Sequence, residues 1–100
     1  MSRFRSFRDF YPFYLSEHAN VVSRRLHFIG SCGVLVLLAT AVARREAWWV
    51  VAALGCGYGF AWAGHFFFEK NRPATFTHPL YSFVGDWAMW RDTLAGRIKL

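Results

Sequence analysis

Two long apolar runs constrain this chain more than anything else in it. From Leu26 to Ala43 the only ionisable side chains are His27 and Cys32, and from Ala47 to Phe68 only Cys56, Tyr58 and His65. Arg44, Arg45 and Glu46 separate the two runs. Each run is about the length that crosses a bilayer, roughly 17 to 25 residues. A water-soluble bundle, the alternative, would show polar residues along one face of each helix, and these runs show none. Two such segments joined by a short charged turn predict a helical hairpin through a membrane.

That hairpin directs the functional argument. His27 lies near the open end of the first run and His65 near the open end of the second. At about 1.5 Å per residue they stand roughly 25 and 29 Å from the turn, so antiparallel packing brings both imidazoles to one face at nearly one height. His18 and His78 fall just outside the hairpin on the same side, which predicts four histidines gathered at one mouth. An unbroken helix from Ser16 would point His18 and His27 to opposite faces. Ser16 or Asn20 can cap the first long helix; for the two histidines to meet, the chain must bend between them or reach the site from different sides, and a break is expected near Asn20.

A chain of 100 residues is one domain, and at 55% hydrophobic and 20% aromatic it has more apolar surface than so small a soluble fold buries. The net charge of +6 raises the question of nucleic acid, but the basic residues flank apolar segments and form no single patch, so no nucleic-acid partner is expected. Ten of the 12 Lys and Arg residues lie on the open side of the hairpin, and Arg44 and Arg45 at the turn are opposed by Glu46. The positive-inside rule then places both termini in the cytoplasm, with membrane lipid as the electrostatic partner. The basic start leads into Phe10-Tyr11-Pro12-Phe13-Tyr14 and not into an uninterrupted apolar core, so no cleavable signal peptide is expected. Cys32 and Cys56 differ in depth by roughly 6 Å, which argues against a disulfide.

The predicted architecture is all-α: a membrane helical hairpin with flanking interfacial amphipathic helices, in a single membrane domain over 1–100. The spans are predicted over 20–43 and 47–69, and the interfacial helices over 3–14 and 79–95. The first interfacial helix interleaves Phe4, Phe7, Phe10, Tyr11 and Tyr14 with Arg3, Arg5 and Arg8, and Pro12 interrupts it. It either lies among headgroups or packs on the open end of the bundle. The last helix gathers Leu80, Phe83, Val84, Trp87, Trp90 and Leu94 on one face and also carries Asp86, Arg91 and Asp92. Too short and polar to span, it is predicted to lie along the interface as a lid. Gly55 and Gly59 form a GxxxG pair that lets helices approach closely.

Glu69 follows His65 by four residues, one helical turn further out. A carboxylate there can ligate a metal, orient an imidazole, or pair with Arg24, Arg25 or Arg72. Imidazoles with or without a carboxylate suit iron, zinc or copper, and spacing alone does not choose among them. No HExxH, CxxC, phosphate loop or nucleophile elbow is present. Bis-histidine haem binding between His27 and His65 is one alternative. A non-enzymatic hairpin, with glycines for assembly and histidines as interfacial anchors, is another.

Several runs in order carry a family resemblance. They are Phe13-Tyr14-Leu15-Ser16-Glu17-His18, Arg24-Arg25-Leu26-His27-Phe28-Ile29-Gly30, Gly64-His65-Phe66-Phe67-Phe68-Glu69, Asn71-Arg72-Pro73-Ala74-Thr75-Phe76-Thr77-His78-Pro79-Leu80 and Gly85-Asp86-Trp87. From Phe4 to Ile98 the chain resembles the small bacterial members of the family named for metabolism of phytosphingosine to odd-numbered fatty acids. The resemblance implies an iron(II)-dependent dioxygenase of fatty acid α-oxidation in the bacterial inner membrane. Such an enzyme takes a 2-hydroxy fatty acid and O2 to a fatty acid one carbon shorter.

Carried over by motif, His18, His27, His65 and His78 would hold Fe(2+). The 2-hydroxy acid would chelate it through carboxylate and hydroxyl, Arg24 or Arg25 would pair the remaining charge, and the tail would lie between the apolar helices. Asn20 or Glu69 would orient a ligand or bound water as catalytic residues. The hairpin is shorter than the fungal enzymes, which points to a homodimer to enclose an acyl chain. Position 23 carries Ser where the resemblance leads one to expect Asn.

Overall fold

The computed structural model describes residues 4–99, and among these every regular element is helical. Helix α1 is Phe7–Ser16, α2 Val21–Arg44, α3 Trp48–Ala63 and α4 Pro79–Leu94. Two helices are long and apolar enough to cross a membrane: α2, and α3 together with the π-helical turn Gly64–Glu69 that continues it.

Arg3, at the predicted start of the first helix, lies outside the described residues. Helix α1 opens at Phe7 because Ser6 adopts an extended conformation and its hydroxyl accepts the Asp9 N–H at 3.3 Å. The expected interruption at Pro12 does not occur, and the helix continues through it to Ser16. Pro12 is exposed, so the carbonyl deprived of its partner on that side of the helix can be solvated. Phe10 and Tyr14 are completely buried. Of the two placements considered for α1, packing on the open end of the bundle is the one adopted.

Asn20 caps α2, its Oδ1 accepting the Val22 and Ser23 N–H groups at 2.9 and 3.1 Å. The helix ends at Arg45 in the left-handed region (φ 54°), whose N–H returns to the Ala41 and Val42 carbonyls. This stop lets α3 begin at once and run back along α2. The two backbones approach over glycines: a Cβ on Gly30 would lie 2.7 Å from Phe60 Cβ, and one on Gly33 2.7 Å from Cys56 Sγ. The Gly55 and Gly59 pair does not serve this contact, since a Cβ on either would meet nothing within 4 Å. The GxxxG spacing is thus turned away from α2, because the hairpin closes on Gly57 and its neighbours instead. Gly30→Leu is expected to destabilise the hairpin by about 3 kcal/mol, the overpacking range, in thermal unfolding in detergent. Gly55→Leu should leave the transition unchanged.

The outer surface of the hairpin is apolar, with Val36, Val51 and Val42 65%, 69% and 79% exposed. The core sits instead at the open end, where Phe10, Tyr14, Ala74 and Met89 cluster. Helix α4 packs through its small and polar side, burying Ser82, Gly85, Met89 and Asp92, while Leu80, Phe83, Val84 and Leu94 face outward. Gly85 admits the Tyr14 ring; a Cβ there would stand 2.9 Å from Tyr14 Cδ2. Tyr11 Oη donates to Asp92 Oδ2 at 2.7 Å, and Arg97 pairs with the other oxygen at 3.0 Å. The apolar side of α4 is left facing outward, as an interfacial helix requires.

Candidate active site

Three elements bring three histidines into contact. His18 sits in the bend between α1 and α2, His27 in the second turn of α2, and His65 at the start of the π-helical turn. The break before Asn20 turns His18 inward over the mouth of the hairpin. Its ring centre lies 5.2 Å from that of His27 and 4.4 Å from that of His65, both edge to face. All three are buried. A π-helical turn is an uncommon local structure that recurs at functional sites, and here it carries His65.

Hydrogen bonds fix the ring nitrogens of two of them. His18 Nδ1 lies 2.8 Å from the Tyr14 carbonyl, which can only accept, so Nδ1 carries the proton and Nε2 the lone pair. His18 Nε2 is buried without a partner. His65 Nδ1 lies 2.7 Å from Asn71 Oδ1. Asn71 is oriented by its own amide, which donates to the Glu17 carbonyl and carboxylate at 3.2 and 3.4 Å, so its oxygen faces the ring. His65 Nε2 therefore also bears a lone pair. Histidines that ligate metals usually donate their second nitrogen in this manner.

His27 is held from the other side. Its Nε2 lies 3.0 Å from Asp86 Oδ1 and 3.2 Å from Tyr14 Oη, and Tyr14 Oη donates to the same carboxylate oxygen at 2.5 Å. Burial first, then the adjacent Asp86 charge, holds the Tyr14 phenol well above its usual range, so it remains a donor. The carboxylate accepts from both groups, so Nε2 of His27 carries a proton. Tyr14 and Asp86 lie within the runs quoted above, yet nothing in their spacing marked them as partners of His27, 13 and 59 residues away respectively. Asn71 was equally hidden.

The other site candidates lie elsewhere. The gathering at one mouth takes in three histidines and leaves His78 aside, because its ring packs against Phe4 and Phe10 while Nδ1 meets Thr77 Oγ1 at 2.9 Å. Asn20 spends its side chain on the cap of α2, and its N–H donates to Glu69 Oε2 at 2.8 Å. Arg24 reaches the Ala19 and Lys99 carbonyls at 3.3 and 3.2 Å, tying the bend to the C-terminal segment. Arg25 is exposed in the first turns of α2. Ser23 is buried against Gly64, where an added Cβ would lie 2.8 Å from Ser23 Oγ. A small side chain at position 23 is what lets α2 meet the π-helical turn.

Burial, reinforced by the neighbouring imidazoles, pushes His18 down to about 3. The folded state thus binds a proton at this ring less readily than the unfolded chain, whose imidazole titrates near 6.5. Its stabilising contribution is complete above about pH 6.5 and is lost progressively as pH falls toward 3. Thermal unfolding of metal-free protein in detergent across this range should show the loss, and His18→Gln should flatten it.

The donors suit a divalent first-row metal: imidazoles, two with Nδ1 tied down, and among these one Nε2 buried with nothing to bond. The rings stand in edge contact, and no three His, Cys, Asp or Glu side chains among the described residues are spread as a ligand set.

Fold and site together define a class: an all-helical hairpin, apolar enough to cross a membrane, with a buried histidine cluster at its open end. Over residues 4–98 the chain belongs to the family described as 2-hydroxy-palmitic acid dioxygenase Mpo1-like. No curated protein and no solved structure matches it. The family description points to chemistry related to the dioxygenation of 2-hydroxy fatty acids.

Proposed function

We propose that this protein is an iron(II)-dependent dioxygenase that shortens 2-hydroxy fatty acids by one carbon at the cytoplasmic face of a membrane. The observation that carries the reading is the contact of His18 with both His27 and His65, together with the buried, unpartnered His18 Nε2. His18 and His65 would hold the iron through Nε2, with His27 as the third imidazole. Bound ferrous iron supplies the activation of O2 that an oxygenase needs. The protein's own groups do the rest: Asn71 and the Tyr14 carbonyl orient the imidazoles, and Asp86 with Tyr14 fixes His27. The buried surroundings exclude water from the cluster. The site stands at the end of the hairpin where the charged head of an amphiphile would meet the interface, and Arg25, exposed in the first turns of α2, would attract it.

The test is direct. Purified protein given Fe(2+), O2 and 2-hydroxypalmitate should consume the acid and yield the fatty acid one carbon shorter, with iron bound stoichiometrically and no haem absorption. A Soret band would replace this reading with haem binding between His27 and His65. Absence of any bound metal together with absence of turnover would leave a structural hairpin.

A further inference from the structure

Beside the histidine cluster a groove of about 220 Å³ runs between α2 and α3, with α4 over its head. Its polar groups are concentrated at one end, where His27, Ser31 and Asp86 line it, and Val34, Leu38 and Val50 carry it away from them. On α2 the lining residues His27, Ser31, Val34 and Leu38 recur at helical spacing, so they form a single stripe of about 16 Å. Half of a hydrocarbon core of about 30 Å is the depth that one acyl chain occupies in its leaflet. Beside the groove the two helices close on each other at Gly57, where a Cβ would stand 2.8 Å from Val34 Cγ2.

Resting on the reading above, we propose that this groove holds one unbranched acyl chain. Its hydroxylated head lies at His27 and Asp86 and its tail points toward the turn of the hairpin, so that Leu38 and Val50 set the chain length the protein accepts. The occupant is an amphiphile with a single chain. The groove is one stripe wide, and its hydrogen-bonding groups stand where a head would be. A carboxylate at that head favours a ligand that presents a hydroxyl donor, and disfavours a bare carboxylate in the same place. The groove lies within one protomer, so a second copy is not needed to line it.

Binding is measured in nanodiscs with metal-free protein under argon, using 2-hydroxy fatty acids of increasing length. Affinity, referred to ligand free in water and corrected for partition into protein-free nanodiscs, should rise about fourfold per methylene and then level off at a definite length. Leu38→Ala should move that limit to longer chains and Val50→Phe to shorter ones. 2-Hydroxypalmitate bearing a terminal diazirine should label Leu38 or Val50, and not the outward-facing Val42 or Val51. Labelling confined to the outer face, or a length limit unmoved by Leu38→Ala, would overturn the proposal. A 2-hydroxy acid that binds no tighter than its unsubstituted parent would remove the assigned head position. Because no iron or oxygen is present, the outcomes separate. A shifted length limit without turnover in the iron assay keeps the groove and removes the dioxygenase. Turnover with an unshifted limit does the reverse.

Discussion

His18→Ala and His65→Ala are each expected to lower consumption of 2-hydroxypalmitate by more than about 100-fold and to release bound iron. Neighbours that merely orient a metal-bound histidine typically change affinity or activity by about 10- to 100-fold, and loss of the ligand itself should exceed that. Asn71→Ala belongs in the lower range, because it leaves His65 in place while removing the acceptor that fixes its tautomer. Iron content and turnover measured on the same preparations separate the cases. Folding is checked by circular dichroism. Retention of full activity and iron by His65→Ala would eliminate the proposed centre. His78→Ala, whose ring packs against Phe4 and Phe10 away from the cluster, should bind iron as the parent does.

Asp86→Ala should have the largest effect on stability of any single change at the open end. The carboxylate is the shared acceptor for the Tyr14 hydroxyl and the His27 ring. Tyr14 is completely buried and His27 is 6% exposed. Removing the acceptor leaves Tyr14 Oη and His27 Nε2, 3.2 Å apart, only each other to bond, so one of the two protons loses its acceptor in the interior. A loss of about 1 to 3 kcal/mol is expected, read as a lowered midpoint in thermal or denaturant unfolding. Asp86→Asn keeps an oxygen at the position and should lose less. Tyr14→Phe removes one donor together with its need, leaves the carboxylate to His27, and should fall between them. If Asp86→Ala unfolds at the same midpoint as the parent, the three-way contact among α1, α2 and α4 does not hold the open end together.

Much of the site could be counted along the chain, and the rest could not, for reasons that are local and physical. The level of His27 and His65 follows from helical rise and the position of the Arg44-Arg45-Glu46 turn. Ser16 and Asn20 both had capping chemistry, and the structure uses Asn20, which gives His18 the chance to turn inward. Which outer histidine joins the pair depends on the short connections at the open end. His18 is held by the bend it belongs to, whereas His78 is carried by the turn before α4 into the phenylalanine cluster. Asp86, Tyr14 and Asn71 share no spacing rule with the histidines they serve. Glu69 and Asn20 had the chemistry of a site and were taken up instead in starting α2.

The helices themselves show the same division. Local pattern sufficed for an all-helical chain, two runs long and apolar enough to span, and a stop between them, because periodicity, composition and capping act over a few residues. It also marked glycines as contact points. The packed fold selects Gly30, Gly33 and Gly57 for the contact and turns Gly55 and Gly59 away. It alone decided that α4 buries Ser82, Gly85 and Asp92 and turns Leu80 and Phe83 outward. Hydrophobicity states that a face leaves water, and lipid and protein satisfy that demand equally. The choice between them is made by shape and by paired polar groups, here the Tyr14 ring seated on Gly85 and the carboxylates of α4 reaching two tyrosines and a histidine, which exist only once distant segments have met.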